Sequence, residues 1–153
     1  MAGDRPATGA RNRRIRNLVN RALKKRDGIV LRRDLGPVGN GLAIMDATGI
    51  DVTGFRRVLD SGKIRKVMKD HGDPLREQSR RPPQIAIDRK DFERIPQIVE
   101  SAFRISGGWS SKRGPTSLKY EARIGSNLYI YVETVRTGQR HVALKTMWKR
   151  KPV

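Results

Sequence analysis

The chain contains no cysteine, only two histidines and few aromatic residues (5%), and each shortage closes a set of functions. Without thiols there is no disulfide, no iron–sulfur cluster and no thiolate-bound zinc. Two histidines cannot furnish a three-histidine catalytic metal site, so neither a metal nor another cofactor is expected. The apolar stretches, such as Leu42 to Met45 and Leu128 to Val132, fall far short of the ~20 residues that span a bilayer. No apolar segment follows the basic N-terminus, so no secretory signal is expected. Acidic side chains are scarce as well: 15 Asp and Glu face 34 Lys and Arg, a formal charge of +19. A field of that sign favours phosphate polymers or anionic membranes. Without an amphipathic aromatic belt, nucleic acid is the expected partner and a membrane is not.

At 153 residues the chain is about one domain. Residues 1–33 hold eleven basic side chains against Asp4 and Asp27, a surplus of nine, and read as a basic arm. Within it Ile15, Leu18, Val19, Ala22 and Leu23 recur at helical spacing. The opposite face, with Arg13, Arg14, Arg21 and Lys24, either grips phosphate or is simply solvated on a docked helix. Residues 34–46 are rich in Gly and Pro and read as a linker, leaving 47–150 as the main domain. The glycines of GPVGNG lack the spacing and the Gly-Lys-Ser/Thr of a phosphate loop.

Further on, Ser61 is placed to cap a helix carrying Ile64, Val67 and Met68, with His71 in its last turn, Gly72 as a left-handed stop and Pro74 beyond. Asp88 caps a second helix with Asp91 three residues on, and Pro96 splits that element, whose core positions are Phe92, Ile95, Ile98 and Val99. Gly107 to Pro115 reads as a loop. Three strands follow, 117–124, 128–136 and 139–149, joined by hairpin turns into an antiparallel meander. Regular alternation puts Val142, Leu144, Thr146 and Trp148 on one face, and His141, Ala143, Lys145 and Met147 on the other. Helices packed on a small C-terminal antiparallel sheet make the fold class α+β.

The order GIDVTGFRRVLDSGKIRKVMKDHGD, IAID, DFE, SLKYEARI, YIYVETV and RHVALKTMW resembles the phage-borne branch of the barnase/EndoU/colicin/RelE-like nuclease superfamily, over about residues 47 to 150. The resemblance implies a helical subdomain followed by a curved antiparallel sheet that cuts RNA without a metal. It also implies a toxin or virion cargo, working in a virion or the bacterial host cytoplasm, with a phage capsid or an immunity protein as further partner. It carries catalytic positions onto His71, Tyr120, His141 (or its neighbour Arg140) and Thr146. Lys66 stands where relatives carry a second histidine, and a lysine is a poor proton shuttle at neutral pH.

Metal-free RNA cleavage requires a base for the 2'-OH, an acid for the leaving 5'-oxygen and cations for the phosphorus charge. His71 and His141 alone have an intrinsic pKa, about 6.5, suited to either proton role. The competing readings are a helix-terminal charge for His71 and a solvent-facing strand position for His141. Thr146 and His141 have opposite parity, so a bulge would be needed to bring them to one face. Glu77, among arginines, reads as ion-paired, and Glu121 as a cross-strand partner. Trp109, flanked by Gly and Ser, can stack on an unstacked base, whereas Trp148 fits a packed position. The expected nucleic-acid contacts are Arg13, Arg14, Arg21, Lys24, Lys66, Trp109, Lys119, Arg140 and Lys145. RNA is the first expectation and DNA the second. Two functions remain: a metal-independent endoribonuclease acting by 2'-OH attack, or a non-catalytic packaging protein that keeps the same fold.

Overall fold

A computed structural model describes residues 8–24, 30–107 and 116–152. The elements in order are α1 (Thr8–Lys24), β1 (Arg32–Pro37), α2 (Gly41–Thr48), β2 (Arg56–Asp60), α3 (Ser61–His71), α4 (Pro74–Gln78), α5 (Arg89–Glu93), α6 (Ile95–Ser101), β3 (Arg104–Gly107), β4 (Ser117–Ile124), β5 (Asn127–Arg136) and β6 (His141–Arg150). The C-terminal alternation produces the expected meander: β4 pairs with β5 and β5 with β6, both antiparallel. The fold is α+β, and its sheet is larger than the meander alone. Six strands run in the order β1-β2-β6-β5-β4-β3, and β2 lies parallel to β6, so the sheet is mixed.

Described residues of the expected arm and linker are built into the domain. Ile15, Leu18, Val19 and Ala22 of α1 are fully buried in the main core, and residues 32–37 form an edge strand of the sheet. Burying side chains of this kind is worth ~1.5 to 3 kcal/mol each, which outweighs the repulsion that keeps a charged arm in solvent. The glycines of the supposed linker have local duties instead. Gly36 takes φ 105° beside the register shift in β1, and residue 41 opens α2.

Two predicted helix ends also differ. Ser61 does not cap α3: its Oγ accepts a 2.8 Å bond from the Leu31 amide, tying the chain ahead of β1 to the start of the helix, and Asp60 takes the cap position. Gly72 has φ −97°, so no left-handed stop is formed; a Cβ there would collide with the Met68 carbonyl oxygen, which only glycine avoids. The Asp88 and Asp91 capping box is present, and α5 and α6 meet at Arg94, just before Pro96, as the missing amide requires.

One irregularity sets the character of the sheet. Val132 pairs with Thr146 but Glu133 pairs with Leu144, leaving Lys145 as the extra residue of a β-bulge in β6. The bulge reverses the alternation predicted beyond it. Val142, Leu144 and Met147 belong to the core under the helices. By the same register His141, Ala143, Thr146 and Trp148 line up on the opposite face, beside Arg136, Thr134, Val132 and Ile130 of β5.

Candidate functional site

Helices α1, α3, α5 and α6 share a core with the inner sheet residues Tyr120, Tyr129, Tyr131 and Leu144, so the helical layer covers one face of the sheet. The register assigns Arg56, His141, Thr146, Trp148, Lys119 and Arg136 to the other, outer face. That face is rich in cations and hydroxyls.

At one end of β6 the outer face meets the end of α3. The His71 ring stacks on Trp148, with centroids 5.8 Å apart and planes at 25°. Its Nδ1 lies 3.1 Å from Oε2 of Glu77, a carboxylate wholly removed from solvent. The other Glu77 oxygen accepts a 2.7 Å bond from Arg80 Nε, and Arg80 Nη2 donates to the Asp70 carbonyl at 2.7 Å. Backbone bonds from Gln84 to the Glu77 carbonyl and from Ile87 to the His71 carbonyl fix both residues from behind. A carboxylate facing Nδ1 favours a proton on that nitrogen, and in a neutral imidazole this leaves the lone pair on Nε2. Thr146 stands one strand repeat from Trp148 on the same face, and Lys145, on the bulge, is exposed beside it.

The far end of the face is built around Asp60 and Asp34. Burial alone would raise the Asp60 carboxyl, but bonds from Arg32 Nε at 2.7 Å and Arg136 Nη2 at 3.1 Å hold it below the usual carboxylate range. Asp34 is likewise held low: against its partial burial, it accepts from Arg56 Nε at 2.5 Å and from the Gly36 amide at 2.7 Å. His141 pairs in register with Arg136 on one side and Arg56 on the other, and its Nδ1 is buried with no hydrogen-bond partner among the described residues. At ~3.3 Å per residue, the strand separates His141 from Trp148, and hence from His71, by about 20 Å. The two histidines cannot serve one phosphate.

Beneath the sheet lies a closed polar cluster. Arg57 is bonded to Glu133 through Nε, with Nη2 at 3.4 Å from the second carboxylate oxygen, and Glu133 also accepts from Tyr120 Oη at 2.9 Å. Burial opposes the Arg57 charge, yet Glu133 more than compensates and keeps the guanidinium firmly protonated. Burial first, then the Glu133 charge, pushes the Tyr120 phenol far above its ordinary value. Tyr120 is wholly inaccessible and points away from the outer face.

Residues 37–152 match the family described as phage-Barnase-EndoU-ColicinE5/D-RelE like nuclease3. The chain belongs to this family. Neither a curated protein nor a solved structure matches it significantly. As a phage-type nuclease it takes nucleic acid as substrate, and the match, beginning at Pro37, leaves α1 outside.

Among the residues singled out in the nuclease's sequence, the structure sets His71 against Trp148, two residues along β6 from Thr146 and three from Lys145, while His141 and Arg140 stand at the other end of that strand. Arg140 adopts a left-handed conformation, φ 55°, donates to the Thr53 carbonyl at 3.2 Å and lies 5.8 Å over the Phe55 ring. Lys119 is on the outer face, half-buried. Lys66 is exposed, pairs with Asp70 at 3.2 Å and lies about 140° around α3 from His71. Arg13, Arg14, Arg21 and Lys24 are exposed on α1, on the helical side. Trp109 lies outside the described residues, as does most of the loop expected at 107–115. Glu121 faces Arg104 across strands, Nε to Oε2 3.8 Å, as a cross-strand partner should. Arg56, Arg136 and Asp60 carried no sequence signal, because their grouping depends on β2 lying next to β6. No helix among the described residues is long and apolar enough to cross a membrane, and no three metal-ligating side chains among them form a group.

Proposed function

We propose that this nuclease is an endoribonuclease that needs no metal and cuts at the His71 end of the outer sheet face. The observation that carries the reading is the His71–Glu77 pair: a histidine whose Nδ1 is held by a buried carboxylate, at the edge of a cationic sheet face. His71 Nε2 takes the 2'-OH proton, the 2'-oxygen attacks phosphorus, and the P–O5' bond breaks to leave a 2',3'-cyclic phosphate. Solvent on the open face protonates the departing 5'-oxygen. Lys145 and the Thr146 hydroxyl steady the phosphoryl oxygens as charge develops on them. Glu77 and Arg80 are positioning residues. His141, Arg136 and Lys119 hold the strand further along the sheet, and Tyr120 supports the sheet from below rather than touching substrate. As phage cargo or toxin, such an enzyme would act on host RNA, and an acidic immunity protein would have to cover the same cationic face.

The test is incubation of the pure chain with single-stranded RNA in excess chelator. Products ending in 2',3'-cyclic or 3'-phosphate are expected, and His71→Ala should cut about 10² to 10⁴ times more slowly while still binding RNA. Cleavage that requires an added divalent ion overturns the metal-free mechanism. RNA that is bound but stays intact favours the packaging role instead.

A further inference from the structure

The exposed side of α1 is cationic and has no part in the proposed site. Between Thr8 and Lys24 the helix has six basic side chains and no acidic one. Its flanks divide sharply. Arg11 pairs with Glu100 at 3.2 Å and Arg16 with Glu93 at 2.9 Å, both toward α5 and α6. Arg13, Arg14, Arg21 and Lys24 are exposed and pair with no carboxylate among the described residues. Asn17 and Asn20 lie between them and, with Arg21 and Lys24, line a shallow depression of about 260 Å³. Arg89 of α5 extends the patch, donating to Asn20 Oδ1 at 3.2 Å.

The apolar stripe of α1 packs toward the inner sheet face, so this row points away from the outer face, across both layers of the molecule. The helix C-terminus favours Arg21 and Lys24 in its last turn, but no carboxylate among the described residues neutralises the row. A row from Arg13 to Lys24 extends about 16 Å on a rigid rod, and amides set among the cations add hydrogen bonds suited to phosphate oxygens. It contains no aromatic side chain on which a splayed base could stack, as single-strand readers require. The match is to the fixed, closely spaced phosphates of a duplex.

We infer that the outer row of α1 is a second nucleic-acid site, a docking surface for the backbone of a DNA or RNA duplex, separate from the cleavage face. The enzyme would then rest on a duplex by its helical side while its sheet remains open to a single strand. The inference goes beyond the proposed cleavage and does not depend on it.

The experiment measures anisotropy of labelled 20-base-pair DNA and RNA duplexes, and of single strands of equal length, titrated with the full chain at several salt concentrations. The comparison is with the quadruple variant Arg13→Gln, Arg14→Gln, Arg21→Gln, Lys24→Gln, whose helix propensity is close to that of the parent and whose melting temperature verifies the fold. The variant should bind duplex at least about ten-fold more weakly, with the slope of log K against log salt reduced by about 0.9 for each DNA phosphate it no longer neutralises. The duplex with the larger drop in affinity identifies the source of the backbone. Unchanged duplex affinity overturns the inference, and so does an equal drop for single strands. A parent that cuts no RNA but binds duplex through α1 removes the proposed function and leaves this site standing.

Discussion

Glu77, with no solvent exposure, places a carboxylate oxygen 3.1 Å from the Nδ1 of His71, and Arg80 occupies its second oxygen at 2.7 Å. The carboxylate therefore cannot swing to a substrate, and its effect is exerted through the imidazole. Glu77→Gln keeps the shape but loses the charge that favours a proton on Nδ1. It should lower kcat by about 10 to 10⁴, with little change in KM. Leaving Arg80 without its anion should also cost about 1 to 3 kcal/mol of stability. Steady-state kinetics and a urea titration on one preparation separate the two effects. A normal kcat would remove Glu77 from the mechanism.

Tyr120 offers the converse case. Tyr120→Phe removes a 2.9 Å bond to Glu133 and should cost about 1 kcal/mol, without changing the cleavage rate. Arg57→Leu leaves the buried Glu133 with the Tyr120 hydroxyl but no cation, and should cost about 3 to 5 kcal/mol. Replacing both partners, Arg57→Met with Glu133→Leu, should recover most of that loss. If Tyr120→Phe abolishes cleavage while the protein stays folded, the phenol reaches substrate in another conformation.

Deletion of residues 1–24 should give a chain that does not fold, since Ile15, Leu18, Val19 and Ala22 would leave a trough along the core. Leu18→Ala alone should cost about 2 to 5 kcal/mol. A cooperative thermal transition in the truncated chain would show that α1 is dispensable.

All three tyrosines are buried, and burial raises each phenol above its ordinary value; for Tyr129 the 2.6 Å bond it donates to Asp91 adds to the effect. The folded state holds these protons more tightly than the unfolded state, in which they leave near pH 10. Stability is therefore complete below pH 10 and falls as pH rises above it, by about 1.4 kcal/mol per pH unit for each phenol still protonated in the fold. Phenolate absorbance should appear together with loss of helical circular dichroism. Ionisation at pH 10 in a folded protein would contradict the burial.

Local signals in the sequence led to correct elements where the chemistry is itself local. Asp88 and Asp91 cap their own helix, Pro96 breaks its own hydrogen bond, and Leu118 to Ile124 alternate without interruption. The strand β2 was hidden because Arg57 interrupts an apolar run, and what makes an arginine admissible there is Glu133, 76 residues away. The edge strand β1 was hidden by Gly36 and Pro37, which usually mark turns. The bulge at Lys145 is invisible in the residue types; its need could be stated from the parity of His141 and Thr146, and only the register with β5 locates it. His71 and Thr146 were legible as separate candidates, while the length of β6 that lies between His141 and the Trp148 beside His71 was not.

The position of β6 has a consequence for synthesis. It follows the other five described strands in sequence, yet it lies between β2 and β5, and it carries the Trp148 against which His71 stacks. Until residues 141–150 have left the ribosome, the β1–β2 pair cannot join β5, and the six-stranded face is incomplete. Closing that pairing over some 85 residues of sequence is slow compared with forming the hairpins. A growing chain thus lacks the assembled sheet face on which cleavage is proposed.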